Sequence, residues 1–237
     1  MSAPTEFAPG LVVQGFQPPL RLSDFKLIAF DMDSTLINIE CVDEIADAAG
    51  RKQEVAAITE AAMQGLITDY KESLRQRVAL LKGVTTEHLE SVFTERLRFN
   101  PGAKELIDAA KAAGLTTLLV SGGFTFFSDR VKAGLGIDFA RSNVLETEGG
   151  QLTGRMVNQP WGDICDGAEK RRTLLEVASL MGISPAQAIA VGDGANDLPM
   201  MGVAGLSVAY HAKPKVRTQA HVAINQGGLD RLLQVLR

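Results

Sequence analysis

Two carboxylates, Asp31 and Asp33, stand one residue apart directly after a four-residue apolar run, Leu27–Phe30. Side chains on an extended chain alternate, so acids two apart point the same way. Their repulsion at the end of a buried strand calls for a counter-charge. A divalent cation such as Mg²⁺ suits the position, because it takes one or two carboxylates together with water and phosphate oxygens. The structural alternative is a helix start with Asp33 or Ser34 as its cap. Two further apolar runs end in polar groups: residues 115–120 in Ser121-Gly122-Gly123, and residues 188–191 in Gly192-Asp193-Gly194-Ala195-Asn196-Asp197. Each alone also fits a tight turn. If the three runs are neighbouring parallel strands, their carboxyl ends meet at the edge where open α/β sheets bind ligands. Up to four carboxylates, a hydroxyl and glycine amides then converge. Carboxylates select a hard cation, and serine with glycine amides cradles an anion. A metal bridging an acidic site to a phosphate is the economical chemistry.

The elements that must position these groups follow from the hydrophobic spacing. Residues 42–49, 54–63, 70–81 and 86–96 carry apolar residues at helical intervals, the last helix capped by Thr85 or Thr86, and this helical block closes at Asn100-Pro101-Gly102. Beyond it helices and short apolar strands alternate: helix 103–113, strand 115–120, helix 126–135, an alternating stretch at 143–157 around Gly149-Gly150 that reads as a hairpin, helix 170–181, strands 188–191, 206–209 and 222–224, and a closing helix 229–236. Such alternation implies an α/β class with a parallel sheet flanked by helices on both faces. The expected organisation is an α/β core of residues 24–36 and 100–237, an inserted helical cap at 37–99, and an extended arm at 1–23 containing Pro4, Pro9, Pro18 and Pro19.

A formal charge of −4, from 24 basic and 28 acidic side chains, gives no electrostatic footprint for nucleic acid. No apolar run approaches the ~20 residues that span a bilayer, and the N-terminus shows no secretory pattern. Cys41 and Cys165 lie far apart without a C-x-x-C pairing, so a disulfide framework or zinc site is not expected and a reducing cytoplasm is. Oligomeric state is not legible. His88, His211 and His221 fall outside every motif; Cys41 reads as a small buried hydrophobe and Trp161 as a loop anchor.

The ordered set Asp31-Met32-Asp33-Ser34-Thr35, Ser121-Gly122, Lys170 and Gly192-Asp193-Gly194-Ala195-Asn196-Asp197 resembles the haloacid dehalogenase-like phosphohydrolases, whose Rossmann-like core carries an inserted cap. More narrowly, Glu40, the run Ser73-Leu74-Arg75-Gln76-Arg77-Val78 and Val120-Ser121-Gly122-Gly123-Phe124 are similar to the branch that hydrolyses phosphoserine. The resemblance covers residues 24–237; where some of its members carry an N-terminal regulatory domain, this chain has the proline-containing arm. It implies Asp31 as nucleophile forming an aspartyl-phosphate, and Asp33 as general acid and then base. It implies Mg²⁺ held by the Asp31 carboxylate, the Asp33 carbonyl and Asp193, with Asp197 close by or reached through water. Ser121, the Gly122 amide, Lys170 and Asn196 would hold the phosphorylated substrate, a small molecule. Glu40 would meet its ammonium and Arg77 its carboxylate, with Met63 and Tyr70 shielding the site. Read without the resemblance, Lys170 beside Arg171 and Arg172 also suits an exposed helix face, and Glu40 and Arg77 suit a helix start and a solvated surface.

The implied reaction is Mg²⁺-dependent hydrolysis of O-phospho-L-serine to L-serine and phosphate, the last step of serine biosynthesis. Two other functions fit parts of the pattern. One is a related phosphatase or phosphotransferase acting on another small phosphate such as phosphohomoserine. The other is a phospho-accepting signalling module, against which stand the acid at Asp33 and a cap of about sixty residues suited to enclosing a small substrate.

Overall fold

The computed structural model describes residues 4–63 and 67–237, without the side chains of residues 62 and 63. In chain order it contains β1 (Thr5–Ala8), β2 (Leu11–Val13), β3 (Leu27–Phe30), α1 (Cys41–Ala48), α2 (Lys52–Met63), α3 (Tyr70–Ala79), α4 (Thr86–Ser91), α5 (Ala103–Ala112), β4 (Thr116–Phe124), α6 (Thr125–Leu135), β5 (Phe139–Glu148), β6 (Gln151–Val157), α7 (Gly167–Leu180), β7 (Ala188–Gly192), α8 (Leu198–Met201), β8 (Leu206–Tyr210), α9 (Pro214–Arg217) and β9 (Val222–Ile224). The strands form one sheet in the order β1-β2-β9-β8-β7-β3-β4-β5-β6. Its centre, from β9 to β5, is parallel, and β1, β2 and β6 join antiparallel.

β3 lies between β4 and β7, and the chain winds outward from it in both directions. The register pairs Phe30 with Leu119 on one side and Val191 on the other, so the residues that follow come level at one edge. Both faces of the sheet are buried. Ile28 and Phe30 pack into the layer containing Leu106 and Ile107 of α5 and Phe127 and Val131 of α6. Leu27 and Ala29 pack into the opposite layer, with Leu174 and Ala178 of α7 and Met200 of α8. Continuing that period of two, Asp31 points to the side of α7, where Lys170 waits.

The helices α1 to α4, with a π-turn over Val92–Arg96, stand between β3 and α5 and cover the carboxyl edge of the sheet. Asp69 caps α3 through the Lys71 amide. Two kinds of contact seat this block on the core. Gly83 N–H donates to the Leu152 carbonyl and Leu152 N–H to that of Val84, each at 2.8 Å, joining the block to the β5–β6 hairpin. Lys71 and Arg75 of α3 both reach Asp163, at 2.8 and 2.6 Å.

Several segments depart from the sequence reading. The expected arm is part of the sheet: β2 pairs with β9 and β1 pairs with β2, while the Gln14 side-chain Nε2 donates to the carbonyls of Thr218 and Ala220. The apolar pair Leu11 and Val13 is buried there, and a strand edge otherwise left open is covered. The strand expected at 115–120 runs on through Phe124, with an irregularity opposite β5 between Val120 and Phe124. The closing helix is a 3₁₀ segment, Leu229–Gln234, because the chain beyond it is drawn off the helical path: Leu20 N–H donates to the Val235 carbonyl and Arg237 N–H to that of Leu20. The helix expected at 86–96 tightens into α4 and then widens into the π-turn; Thr85 stands at its N-cap, but its hydroxyl lies 2.9 Å from His88 Nδ1.

Candidate active site

After Phe30 the chain does not start a helix at Asp33 or Ser34. It curls back over its own carbonyl: the amides of Thr35, Leu36 and Ile37 all donate to the Met32 oxygen, at 3.2, 2.9 and 3.1 Å. Ser34 takes a left-handed conformation with φ 56°, and its hydroxyl donates to Glu40 Oε1 at 2.6 Å. The curl thus returns Glu40, at the N-cap of α1, to the acids it follows by seven residues or more. Asn100 Nδ2 fastens the loop by donating to the carbonyls of Thr35 and Ile37.

Lys170 is the centre of the charge arrangement. Its side chain is 0% exposed, and Nζ lies 2.7 Å from both Asp31 Oδ1 and Asp197 Oδ1. The exposed-face alternative holds for Arg171 and Arg172 but not for Lys170. Burial alone would push its ammonium down; Asp197 and Asp31 outweigh that and hold it protonated well above the ordinary lysine value. Asp197 is bonded through both oxygens: the second accepts from the amides of Asp193 and Gly194, at 3.2 and 3.0 Å. A Cβ on Gly192 would overlap the Asp197 carboxyl, so only glycine lets that acid reach the turn. Asp31 Oδ1 is occupied likewise, by the Met32 amide and Lys170. Its Oδ2 carries none of these bonds and is the oxygen available for chemistry.

The carboxylates of Asp31, Asp193 and Asp197 each offer an oxygen within 4.8 Å of the others. Burial, then the neighbouring charge of Asp197, raises Asp31 well above the carboxylate range despite Lys170, and raises Asp193 to about 7. Two buried acids and a half-buried third beside a single lysine leave the site short of positive charge. An all-oxygen donor set of this kind fits a hard cation, so the residues present are those that could hold a metal ion. Asp193 Oδ1 is steadied by the Thr35 hydroxyl at 3.3 Å.

Asp33 differs in surroundings from Asp31. Cys41 Sγ–H donates to its Oδ1 at 3.1 Å, so the thiol is not only a small hydrophobe. Burial, then the charge of Glu40, raises Asp33 to about 7. A carboxyl poised there exchanges a proton readily at neutral pH. Ser121 is buried, and its oxygen accepts the Gly123 amide at 2.8 Å, leaving the hydroxyl proton free to donate. Asn143 donates to the Gly122 carbonyl and accepts from the Cys165 amide, each at 2.8 Å, which fixes the Gly122 peptide plane. A Cβ on Gly122 would collide with the Tyr70 hydroxyl, so cap and core meet there at backbone distance.

Asp31, Asp33, Ser121, Gly122 and Asp193 line one cavity of about 710 Å³, which also takes in Glu40, Arg77, Tyr70 and Asn196, while Lys170 meets the site through Asp31. Arg77 is therefore not on a solvated face, and its buried Nε has no hydrogen-bond partner among the described residues. All the site residues expected from the sequence are thus brought together, and Tyr70 with them. Met63 has its side chain outside the described residues. Two residues escaped the sequence reading: Asn143, for which no local signal exists, and Asp43, whose place three residues after Glu40 on a helix face was a usable one.

Residues 28–202 match the family model of the haloacid dehalogenase-like hydrolases, and the chain belongs to that family. It is 74% identical over 234 residues, 99% of each chain, to a phosphoserine phosphatase of Albidiferax ferrireducens. Among solved structures it resembles a phospho-aspartyl intermediate analogue of phosphoserine phosphatase, at 39% identity and a TM-score of 0.82, covering 90% of this chain and 99% of that one. A substrate-bound phosphoserine phosphatase complex superposes with a TM-score of 0.80 at 38% identity, again covering 90% and 99%.

Proposed function

We propose that the chain is a Mg²⁺-dependent phosphomonoesterase that hydrolyses O-phospho-L-serine to L-serine and phosphate. The observation that carries this reading is one cavity lined both by groups suited to a phosphate and by two acids and an arginine suited to an amino acid. Asp31, Asp33, the Ser121 hydroxyl and Gly122 line it, with Lys170 bonded to Asp31, and so do Glu40, Asp43 and an unsatisfied Arg77. A molecule complementary to both has a phosphate at one end and an ammonium with a carboxylate at the other. The close likeness to phosphoserine phosphatases supports the same substrate, and the reaction ends serine biosynthesis. The cytoplasm suits the two unpaired, buried cysteines, and no helix among the described residues is long and apolar enough to cross a membrane.

Asp31 Oδ2 attacks phosphorus in line, and the bond from phosphorus to the serine oxygen breaks. Asp33 gives its proton to that leaving oxygen, releasing serine. The ionised Asp33 then takes a proton from a water whose oxygen attacks the aspartyl-phosphate, returning Asp31 and phosphate. Lys170, the Ser121 hydroxyl and the Gly122 amide hold the phosphoryl oxygens, and Asn196 lines the same pocket. Asp31, Asp193 and the Asp33 carbonyl, with Asp197 close by, would hold Mg²⁺, which would neutralise phosphoryl charge. Glu40 accepts from the substrate ammonium and Arg77 donates to its carboxylate. The cavity is larger than a phosphorylated amino acid, so the cap closes further on substrate to exclude water, with Tyr70 beside Gly122.

Phosphate release from O-phospho-L-serine, phosphohomoserine and simple phosphate esters, with Mg²⁺ and then with EDTA, tests the reading. Phosphoserine is expected to be strongly preferred and its turnover abolished by chelation. Equal turnover of phosphohomoserine, or transfer to added homoserine, would transfer the assignment to a related phosphatase or phosphotransferase.

Metal binding has a second readout in stability. Asp33 and Asp193 keep protons in the folded, metal-free protein up to about 7, whereas the unfolded chain has released them above the ordinary value of 3.8. The metal-free fold is therefore expected to lose stability as pH rises from about 4 through 7. Mg²⁺ at the Asp193 carboxylate takes the place of its proton, so it stabilises more at pH 8 than at pH 5. At a hundred times its dissociation constant it raises the melting temperature by roughly 5–10 °C. A melting gap that is absent, or equal at both pH values, contradicts this.

A further inference from the structure

Asp43 sits on the first turn of α1, three residues after Glu40, so the two acids share a helix face and both line the cavity. Its Oδ1 is buried and has no hydrogen-bond partner among the described residues. Acids in a first turn commonly serve the helix dipole, but Glu44 beside it already fills that place, exposed enough to pair with Arg96 at 2.7 Å. An acid placed near a like charge and left unsatisfied when buried is costly. Across the same cavity Arg77 Nε is the complementary orphan, a buried donor without an acceptor. No ion pair within 4.0 Å joins the two, although the Arg77 charge is the main influence holding Asp43 down against its burial.

Glu40 cannot by itself satisfy an ammonium. That group has three donors, and one Glu40 oxygen already accepts the Ser34 hydroxyl at 2.6 Å. We infer that Asp43 is a second specificity residue of the cap, its Oδ1 accepting from the substrate's α-ammonium beside Glu40 while Arg77 Nε takes the carboxylate. The inference rests on the phosphoserine reading. It assigns the amino-acid end of the pocket two acids and one arginine, which matches a zwitterion bearing three ammonium donors. It also explains why two opposite charges in one small cavity stay apart: each faces a different group of the ligand.

The test compares three phosphate monoesters on wild type and Asp43→Asn: O-phospho-L-serine, 3-phosphooxypropanoate, which lacks the ammonium, and phosphoethanolamine, which lacks the carboxylate. Asparagine keeps the volume and removes the charge. Asp43→Asn is expected to lower kcat/KM for phosphoserine and phosphoethanolamine about tenfold, mainly through KM, and to leave 3-phosphooxypropanoate unchanged. The ratio between substrates within one variant does not depend on how much of the preparation is folded, so a loss of fold cannot imitate the result. An equal loss on all three esters, no loss on any, or a loss confined to the two carboxylate-bearing esters overturns the assignment, the last by making Asp43 a positioning residue for Arg77. The wild-type arm reports separately on the substrate: failure to favour phosphoserine over 3-phosphooxypropanoate would remove the phosphoserine reading itself.

Discussion

Asp31→Asn is expected to abolish phosphate release, by roughly 10⁴-fold or more, while the protein folds normally. The amide fits the same space but has no lone pair comparable to a carboxylate oxygen for attack on phosphorus. Stability should hold, because the substitution removes one of three acids crowded around a single lysine. Asp31 is raised well above the carboxylate range by burial and by Asp197, which is the mark of a charge the metal-free fold tolerates poorly. An Asp31→Asn protein that melts at or above the wild-type temperature in EDTA, and is inactive with Mg²⁺, is the predicted pair of results. Substantial residual turnover would show that the nucleophile lies elsewhere.

Lys170→Met carries the second large effect and reverses the stability expectation. The lysine is fully buried between Asp31 and Asp197, at 2.7 Å from each, and no other cation touches either acid among the described residues. Methionine fills much of the volume but leaves two buried carboxyls uncompensated. Breaking a buried pair from one side costs about 3–5 kcal/mol, which in a chain of this size lowers the melting temperature by roughly 10 °C. The loss should shrink at low pH, where Asp31 takes up a proton, and in Mg²⁺. Activity falls at least about 10²–10³-fold, since a preorganised charge on the phosphoryl group is gone. Calorimetry of the variant at pH 5 and pH 8, in EDTA, checks the sign. Unchanged stability at pH 8 would mean the lysine is not the counter-charge described.

Much of this site was legible before any coordinates. The acids and the Ser121-Gly122-Gly123 stretch each follow a short apolar run, and runs too uniformly apolar to have a solvent face must be central parallel strands, so their ends had to meet. The register of Phe30 with Leu119 and Val191 is that meeting. What the sequence could not show is which polar groups a fold buries. Lys170 is adjacent to two exposed arginines, and nothing local distinguishes it; only the period of two along β3 and the position of α7 select it. Asn143 acts on Gly122 from a neighbouring strand, a contact between residues 21 apart. The N-terminal segment misled because prolines suggested an extended arm, whereas three consecutive apolar residues, Leu11–Val13, suffice to extend a sheet whose last parallel strand offers an open edge.

The most direct test of the account is the chemical identity of the intermediate. The enzyme is mixed with ³²P-labelled O-phospho-L-serine and Mg²⁺, quenched in acid within the first turnovers, and digested. The account predicts label on a single peptide containing Asp31, released by hydroxylamine as an acyl phosphate is, and turning over within seconds. Stable label on Asp31 that outlasts turnover would mark a phospho-accepting module, and turnover without label on that peptide would contradict the nucleophilic role of Asp31.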